Sequence, residues 1–283
     1  MSAQNGRAII DAHTHILPES FRRERASYAL RDKTFAALIA PPKTRIATGD
    51  ELVASMDGAG VDRSLALGYG WTDIKVAQES NNYLLDQAEA HPDRVIPFCS
   101  VNPVWGDVAL HEIRRCAERG AKGIGELHPD SQGYRLSDSD MLRPMMSLAL
   151  ELGLIVLTHS SEPVGHAYPG KGTATPSELE ALLMAFPENK IVFAHFGGGL
   201  PFYALMPEVK QALGNCYFDT AAAPFLYDTD IYGQLRGLIG SNLIFGSDFP
   251  LVPQERALIH LTDGAEIAIA SSAGAATLLG IES

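Results

Sequence analysis

Eight short, strongly apolar runs recur along the chain with amphipathic stretches between them, a rhythm that few architectures satisfy. The runs are Ala8–Asp11, Arg63–Leu67, Val95–Val101, Gly123–Leu127, Leu154–Thr158, Lys190–Ala194, Asn215–Asp219 and Leu243–Ser247. Most are nearly continuous Ile, Val, Leu and Phe, the composition of parallel strands covered on both faces. Helices are expected over Asp50–Ala59, Ile74–Ala90, Asp107–Arg119, Asp140–Leu152, Ser177–Phe186, Phe202–Leu213 and Asp230–Ile239, with apolar positions at helical spacing, as in Leu179, Leu182, Leu183 and Phe186. Gly60, Gly120 and Gly153 read as stop signals. Pro144 reads as lying near the start of its helix, where a missing N–H costs little.

Strand and helix alternating eight times over about 250 residues is the size and rhythm of a closed parallel barrel. An open doubly wound sheet gives the same alternation, more often with about five to seven strands. The expected fold is α/β, a single (β/α)8 TIM barrel forming one domain over residues 1–283. Two segments break the rhythm: Leu17–Gly49 between the first strand and its helix, and the Gly/Pro-rich Glu162–Pro176 after the fifth strand. Long strand-to-helix connections lie over the C-terminal face of a barrel, so both are candidate lids, the first being a lid inserted after strand 1.

The first strand runs into Asp11-Ala12-His13-Thr14-His15, and residues two apart on a strand project to one side. Two neutral imidazoles converging in this way are a natural pair of metal ligands. Four other apolar runs also end on metal-binding or acid/base side chains: Glu126 with His128 close behind, His159, His195 and Asp248. In a closed barrel those ends meet at one rim. A buried histidine held by one backbone hydrogen bond explains any one of these residues, but not five in register.

These motifs carry a resemblance. Asp11-Ala12-His13-Thr14-His15, His159 after the fifth strand, His195 before a glycine run, and Gly246-Ser247-Asp248-Phe249-Pro250 resemble the amidohydrolase superfamily. The chain is most similar to the amidohydrolase-related branch that includes the aminocarboxymuconate semialdehyde decarboxylases, and the likeness extends to the ending Ala275-Ala276-Thr277-Leu278-Leu279-Gly280. The resemblance implies a metal bound by His13, His15, His159 and Asp248, with water or hydroxide completing the shell. It makes His195 the nearby acid/base or oxyanion-stabilising group. The donor set suits zinc first and leaves manganese, iron and cobalt open. The metal would lower the pKa of bound water towards about 7 and polarise a carbonyl, with Asp248 shuttling the proton.

Glu126 departs from that branch, whose matching segment often carries lysine before Leu-His-Pro; here it reads Gly125-Glu126-Leu127-His128-Pro129. A glutamate there resembles TatD-type hydrolases, in which it bridges two metals. On that pattern His13, His15, Glu126 and Asp248 form one site, and Glu126, His159 and His195 a second. The alternative is a glutamate that orients a ligand histidine. One ion or two both remain open.

Leu17–Gly49 holds seven basic residues (Arg22, Arg23, Arg25, Arg31, Lys33, Lys43, Arg45) against three acidic ones (Glu19, Glu24, Asp32), in a chain of formal charge −12. That local excess points to an anionic small molecule, a carboxylate foremost. His128, His166, Tyr168, Lys171 and Trp71 are candidate substrate contacts, and the glycines Gly197–Gly199 are read as allowing close backbone approach to a ligand. The overall negative charge disfavours nucleic acid. No apolar run approaches the roughly 20 residues that span a bilayer. Met1–Arg7 lacks a secretory pattern, and three widely spaced cysteines (Cys99, Cys116, Cys216) give no disulfide framework, so a cytoplasmic protein is expected, with a homo-oligomer open.

The first functional reading is a metal-dependent hydrolase that cleaves a small amide, ester or lactone. The alternative is a non-oxidative decarboxylase of an unsaturated or aromatic acid. TatD-like nuclease activity is disfavoured by charge, and a degenerate barrel acting as a scaffold is disfavoured by the intact ligand set.

Overall fold

The computed structural model describes residues 8–263, 267–270 and 273–281. The reading of Met1–Arg7 lies outside them. Eight strands form one sheet in sequence order: β1 Ile10–His15, β2 Arg63–Leu67, β3 Val95–Cys99, β4 Gly123–Leu127, β5 Ile155–Thr158, β6 Ile191–Phe193, β7 Cys216–Asp219 and β8 Leu243–Ile244. All neighbours pair in parallel. Each strand is followed by helix: α1 Gly49–Ala59, α2 Ile74–Ala90, α3 Asp107–Glu118, α4 Ser139–Glu151, α5 Pro176–Ala185, α6 Pro207–Ala212, α7 Asp230–Ile239 and α8 Gln254–Asp263. The architecture is the expected (β/α)8 TIM barrel.

Alternate strand residues serve two different cores. Leu65 and Leu67, Ile155 and Leu157, and Val192 and Ala194 join one cluster at the centre of the barrel. Their sequence neighbours Ala66, Val156, Ile191 and Phe193 join a second, larger cluster beneath the helices. This two-sided burial is why the strands read as unbroken apolar runs rather than as alternating ones. The last helix, α9 Ala273–Leu279, adds Ala275, Ala276 and Leu278 to the central cluster.

Closure depends on β1 and the chain beyond β8. The regular strand stops at Ile244, yet Ala12 N–H donates to Phe245 O (2.8 Å), His15 N–H to Phe249 O (2.6 Å) and Asp248 N–H to His13 O (2.9 Å). The expected run Leu243–Ser247 is shorter as a strand because residues 245–249 bend over His13. A Cβ on Gly246 would stand 2.9 Å from the His13 Cβ, so only glycine fits there.

Local signals act largely as expected. Thr48 and Glu51 form a reciprocal cap at the start of α1, and Gly60 ends that helix in the left-handed conformation at φ 72°. Two expectations change. Pro144 is the sixth residue of α4 rather than near its start, so its missing N–H removes one interior helix bond, to Asp140 O. The expected helix Phe202–Leu213 is broken: tight turns run to Leu205, Met206 is extended, and α6 begins at Pro207. A residue before proline avoids helical geometry, which sets that break.

The Leu17–Gly49 segment forms two short helices, Glu19–Arg23 and Arg25–Arg31, and a wide turn over Phe35–Ile39. Its Phe21, Tyr28, Phe35 and Ile39 build a third apolar cluster with Trp71 and Val76. It is a packed wall beside the rim. No helix among the described residues is long and apolar enough to cross a membrane.

The residues after β6 show where glycine is indispensable. His195 to Gly199 all have positive φ, and a Cβ on Gly198 would overlap the Ser161 carbonyl. Gly197 lies against the Phe218 ring, where a Cβ would approach to 2.6 Å. The glycine run therefore allows close approach of protein to protein, not of backbone to a ligand. Gly198→Ala should lower unfolding stability by about 2 kcal/mol or more, from backbone strain plus overlap. Urea denaturation reads this directly, and an unchanged midpoint would refute it.

Candidate metal centre and its cavity

The strand ends bring six donor side chains together. His13 and His15 come from β1, Glu126 from β4, His159 and His195 follow β5 and β6, and Asp248 follows β8. All six are buried. They form two groups, His13/His15/Asp248 and Glu126/His159/His195, and within each group the candidate ligand atoms lie within 4.8 Å of one another. His13 Nε2 and His15 Nε2 are 3.1 Å apart, and each stands 3.8 and 3.7 Å respectively from Asp248 Oδ1.

Glu126 lies between the groups. Its Oε2 is 3.6 Å from His13 Nε2 and 3.4 Å from His15 Nε2, while its Oε1 is 3.0 Å from His159 Nδ1 and 3.6 Å from His195 Nε2. Gly125, the residue before it, is packed so closely that a Cβ would stand 2.6 Å from Leu157 O. Asp248 reaches the cluster from a left-handed backbone at φ 69°, which aspartate tolerates better than most residues.

Two histidines have their protons assigned by their outer partners. Asp219, at the end of β7, accepts from His13 Nδ1 at 2.8 Å. The Ala221 carbonyl can only accept, so His195 Nδ1 donates to it at 3.1 Å. In the neutral forms both Nε2 atoms then present lone pairs to the centre. The ion pairs of Glu126 and Asp248 among the described residues are with histidines, never with lysine or arginine.

The titration behaviour follows from this arrangement. Burial pushes the His13 pKa down, but the charges of Asp219 and Glu126 outweigh it and hold the ring well above the usual imidazole range. Burial pushes Glu126 up, and the histidines around it, His13 foremost, hold it well below the usual carboxylate range. Burial likewise lowers His195, yet its contact with Glu126 and the charge of Asp248 bring it up to about 9. Buried carboxylates and imidazoles arranged like this demand positive charge, which either protons or a metal ion can supply. Nitrogen and oxygen donors with aligned lone pairs and fixed outer partners fit a divalent cation.

A cavity of about 590 Å³ opens above the donors. Its floor includes His15, Glu126, His159, His195 and Asp248, and its walls include Leu38, Phe225, Leu226 and Leu251. Lys43 and Arg45 are the members of the basic Leu17–Gly49 set that reach it. Arg22, Arg25 and Arg31 are tied elsewhere: Arg25 donates to Ile39 O (2.7 Å) and Pro41 O (2.8 Å), Arg22 pairs with Glu51, and Arg31 with Asp73.

The other candidate contacts separate cleanly. His128, His166 and Tyr168 line the cavity. His128 stacks on His159 with centroids 4.1 Å apart, and burial with the His159 charge lowers its pKa to about 3. Tyr168 is braced by Glu162, to which its hydroxyl donates at 2.8 Å. Trp71 is not at the wall: it is fully buried behind Tyr69, with Phe21 and Phe35 against it. Lys171 is also off the wall, its ammonium donating to Val164 O (2.5 Å) and His166 O (2.9 Å).

Two residues escaped the sequence reading. Tyr69 lines the cavity and stacks on His15 with centroids 4.1 Å apart. Asp219 closes the seventh apolar run just as Asp248 follows the eighth, so the rule that singled out His159 and His195 also reaches it.

Residues 10–269 match a family model described as Amidohydrolase. The chain is 25% identical over 218 residues to a 6-methylsalicylic acid decarboxylase from Penicillium expansum, covering 66% of this chain and 67% of that protein. It is 23% identical over 210 residues to a 2-amino-3-carboxymuconate-6-semialdehyde decarboxylase from Dictyostelium discoideum, covering 62% of this chain and 57% of the relative, so the chain spans under two thirds of that protein's length. Among solved structures, 5-carboxyvanillate decarboxylase from Novosphingobium aromaticivorans, complexed with manganese and 4-hydroxy-3-methoxy-5-nitrobenzoic acid, superposes with a TM-score of 0.74. The identity is 18%, covering 98% of this chain and 97% of that one, a likeness of fold.

Lys171 ties its loop together, and the cavity wall depends on that tie. Lys171→Met should speed proteolytic cleavage within residues 163–172 severalfold while leaving the unfolding midpoint within about 0.5 kcal/mol of wild type, as for most surface changes. Unaltered cleavage would refute the tie.

Proposed function

The chain belongs to the amidohydrolase family, and on that premise we propose that it is a metal-dependent, non-oxidative decarboxylase of an unsaturated or aromatic carboxylic acid. The observation that carries this is a compact, buried set of imidazole and carboxylate donors forming the floor of an apolar cavity with cations in its wall. The relatives named as decarboxylases, and the neighbour that holds manganese beside a nitrobenzoic acid, favour this reading over the hydrolysis that the sequence put first. His13, His15, His159 and Asp248 are the proposed ligands, with Glu126 either joining them or bridging to a second ion held with His159 and His195. A mixed set of imidazole and carboxylate donors admits manganese as well as zinc, with zinc the tighter-binding of the two on intrinsic affinity.

A divalent cation bound there would supply Lewis acidity, gripping the substrate's oxygens and stabilising negative charge as the carbon–carbon bond breaks. The chain supplies the rest. Lys43 and Arg45 draw an anion towards the rim of a protein whose formal charge is −12. The apolar walls and Tyr69 hold a flat ring and exclude water, and His128, kept neutral, adds a face without adding charge. Decarboxylation replaces a carbon–carboxylate bond with a carbon–hydrogen bond, so one proton must reach the carbon that loses carbon dioxide. His195 lines the cavity, where contact with Glu126 and the charge of Asp248 favour its protonated form, and in a one-ion centre that leaves its Nε2 unligated it is assigned that transfer. The proton that His195 gives up is regained from water entering the cavity between turnovers, and the negative charge of Asp248 favours that return.

Hydrolysis keeps one observation in its favour: Glu126 sits between both donor groups, the arrangement of a water-activating two-ion centre. Manganese-loaded protein offered a panel of hydroxybenzoates separates the two readings. The proposal expects one carbon dioxide released per acid consumed, lowered about 10²-fold or more in His195→Asn. Ester or lactone turnover without carbon dioxide would overturn it in favour of hydrolysis. Elemental analysis addresses the ions themselves. Wild type should hold one or two divalent ions, lost in His13→Ala and Asp248→Asn. Glu126→Gln should take two to one if it bridges, and unchanged occupancy would return it to a supporting role.

A further inference from the structure

We infer that Asp219 is the positioning residue for both halves of the donor cluster, keeping the His13 proton on Nδ1 so that the Nε2 lone pair faces the other donors. The inference rests on the metal reading above and concerns how the chain prepares its ligands. Asp219 is completely buried at the end of β7, and the activity proposed above does not require it to touch substrate. One oxygen, Oδ2, accepts from His13 Nδ1 at 2.8 Å. The other, Oδ1, accepts from the backbone N–H groups of His195 (2.9 Å) and Ala221 (3.0 Å). The Ala221 carbonyl in turn accepts from His195 Nδ1 at 3.1 Å. A single carboxylate therefore fixes the ring of one donor and the backbone of another, and through Ala221 the ring of the second as well.

The chemistry of this hub requires a carboxylate rather than an amide. Two backbone N–H groups can only donate, so whichever atom faces them must accept. With Asp219 both atoms accept, and the remaining oxygen accepts the hydrogen bond from His13 Nδ1–H. With asparagine the side-chain oxygen must stay on His195 and Ala221, which turns the NH2 towards His13 Nδ1. That ring nitrogen then has to accept, the proton moves to Nε2, and the lone pair aimed at His15, Glu126 and Asp248 disappears. The near-isosteric change Asp219→Asn thus leaves volume intact and withdraws a ligand.

The test is zinc binding to metal-stripped full-length protein, by competition with a chromophoric chelator, beside nitrogen-15 spectra of the histidine rings in the zinc-loaded state. Asp219→Asn should bind zinc about 10–100-fold more weakly than wild type, the range usual for loss of a partner behind a ligand histidine. The wild-type spectrum should show a slowly exchanging proton on His13 Nδ1, a signature that a merely structural role would not require. Zinc affinity in the variant within about twofold of wild type overturns the inference and leaves the metal reading standing. Failure of wild type to take up zinc or manganese at all sinks the metal reading, and this inference with it. Should Asp219→Asn not fold, the wild-type spectrum decides: a His13 that coordinates through Nδ1, or whose Nδ1 proton exchanges freely with water, overturns the assignment.

Discussion

The meeting of β1 with the irregular chain beyond β8 is the contact on which everything else in this molecule depends. Three backbone hydrogen bonds join β1 to residues 245–249, and one of them links the two ends of the candidate centre directly: Asp248 N–H to His13 O at 2.9 Å. Asp11, fully buried just below, reinforces the seam by accepting from Ser247 N (2.9 Å) and Gln254 Nε2 (2.8 Å). Burial raises its pKa to about 6, and the hydrogen bonds it accepts oppose that rise. Residues at opposite ends of the sequence become neighbours because the sheet closes, and the register of closure decides which side chains face inward. The motif Asp-Ala-His-Thr-His is therefore a structural seam as well as a source of candidate ligands.

Closure concentrates charge where water is scarce. Asp11, Glu126, Asp219 and Asp248 are buried within a few residues or bonds of one another, and their partners are histidines, serine, glutamine and backbone N–H groups. Lysine and arginine are kept at the rim, where Lys43 and Arg45 meet the cavity. A structural ion-pair network would have placed guanidinium groups against these carboxylates, as Arg115 does for the buried Glu112 and Arg135 for Glu178. The contrast within one molecule marks the strand-end cluster as built to receive positive charge from outside the chain.

What could be read from the sequence tracks the range of the forces involved. The strands were legible because two-sided burial writes a continuous apolar run, and the end of α1 because Gly60 accepts a conformation that most residues avoid. The convergence of the candidate donors was legible because parallel strands place their ends at one rim. Side-chain destination was less so. Trp71 went inward to meet Phe21 and Phe35 from a segment whose packing no local pattern announces, and Lys171 turned onto carbonyls of its own loop. The break before Pro207 was visible as a Met-Pro pair but lost to the helical spacing around it. Tyr69 gave no signal because stacking on His15 is a property of two separate strands meeting. The choice between hydrolysis and decarboxylation was not legible because both chemistries use the same donors; the decarboxylase proposal rests on relatives and on the cavity wall.

The wall and the floor divide the chemistry between them. A carbon–carbon bond to a carboxylate breaks more easily when the forming carbanion is stabilised and the departing carbon dioxide enters an apolar space. Positive charge taken up by the floor would stabilise that carbanion, and Leu38, Phe225, Leu226 and Leu251 give their part of the wall little capacity to rehydrate a carboxylate. Water-activating hydrolysis makes the opposite demand, since it needs a water held and oriented beside the scissile group. Glu126 keeps the option of a two-ion floor, but the apolar wall above it favours a flat ring over a hydrated amide or ester. The same donor set thus becomes one catalyst or the other according to what the surrounding side chains allow near it. On the decarboxylase proposal, the residues that line the cavity around the candidate donors bear on the choice of reaction as much as the donors themselves.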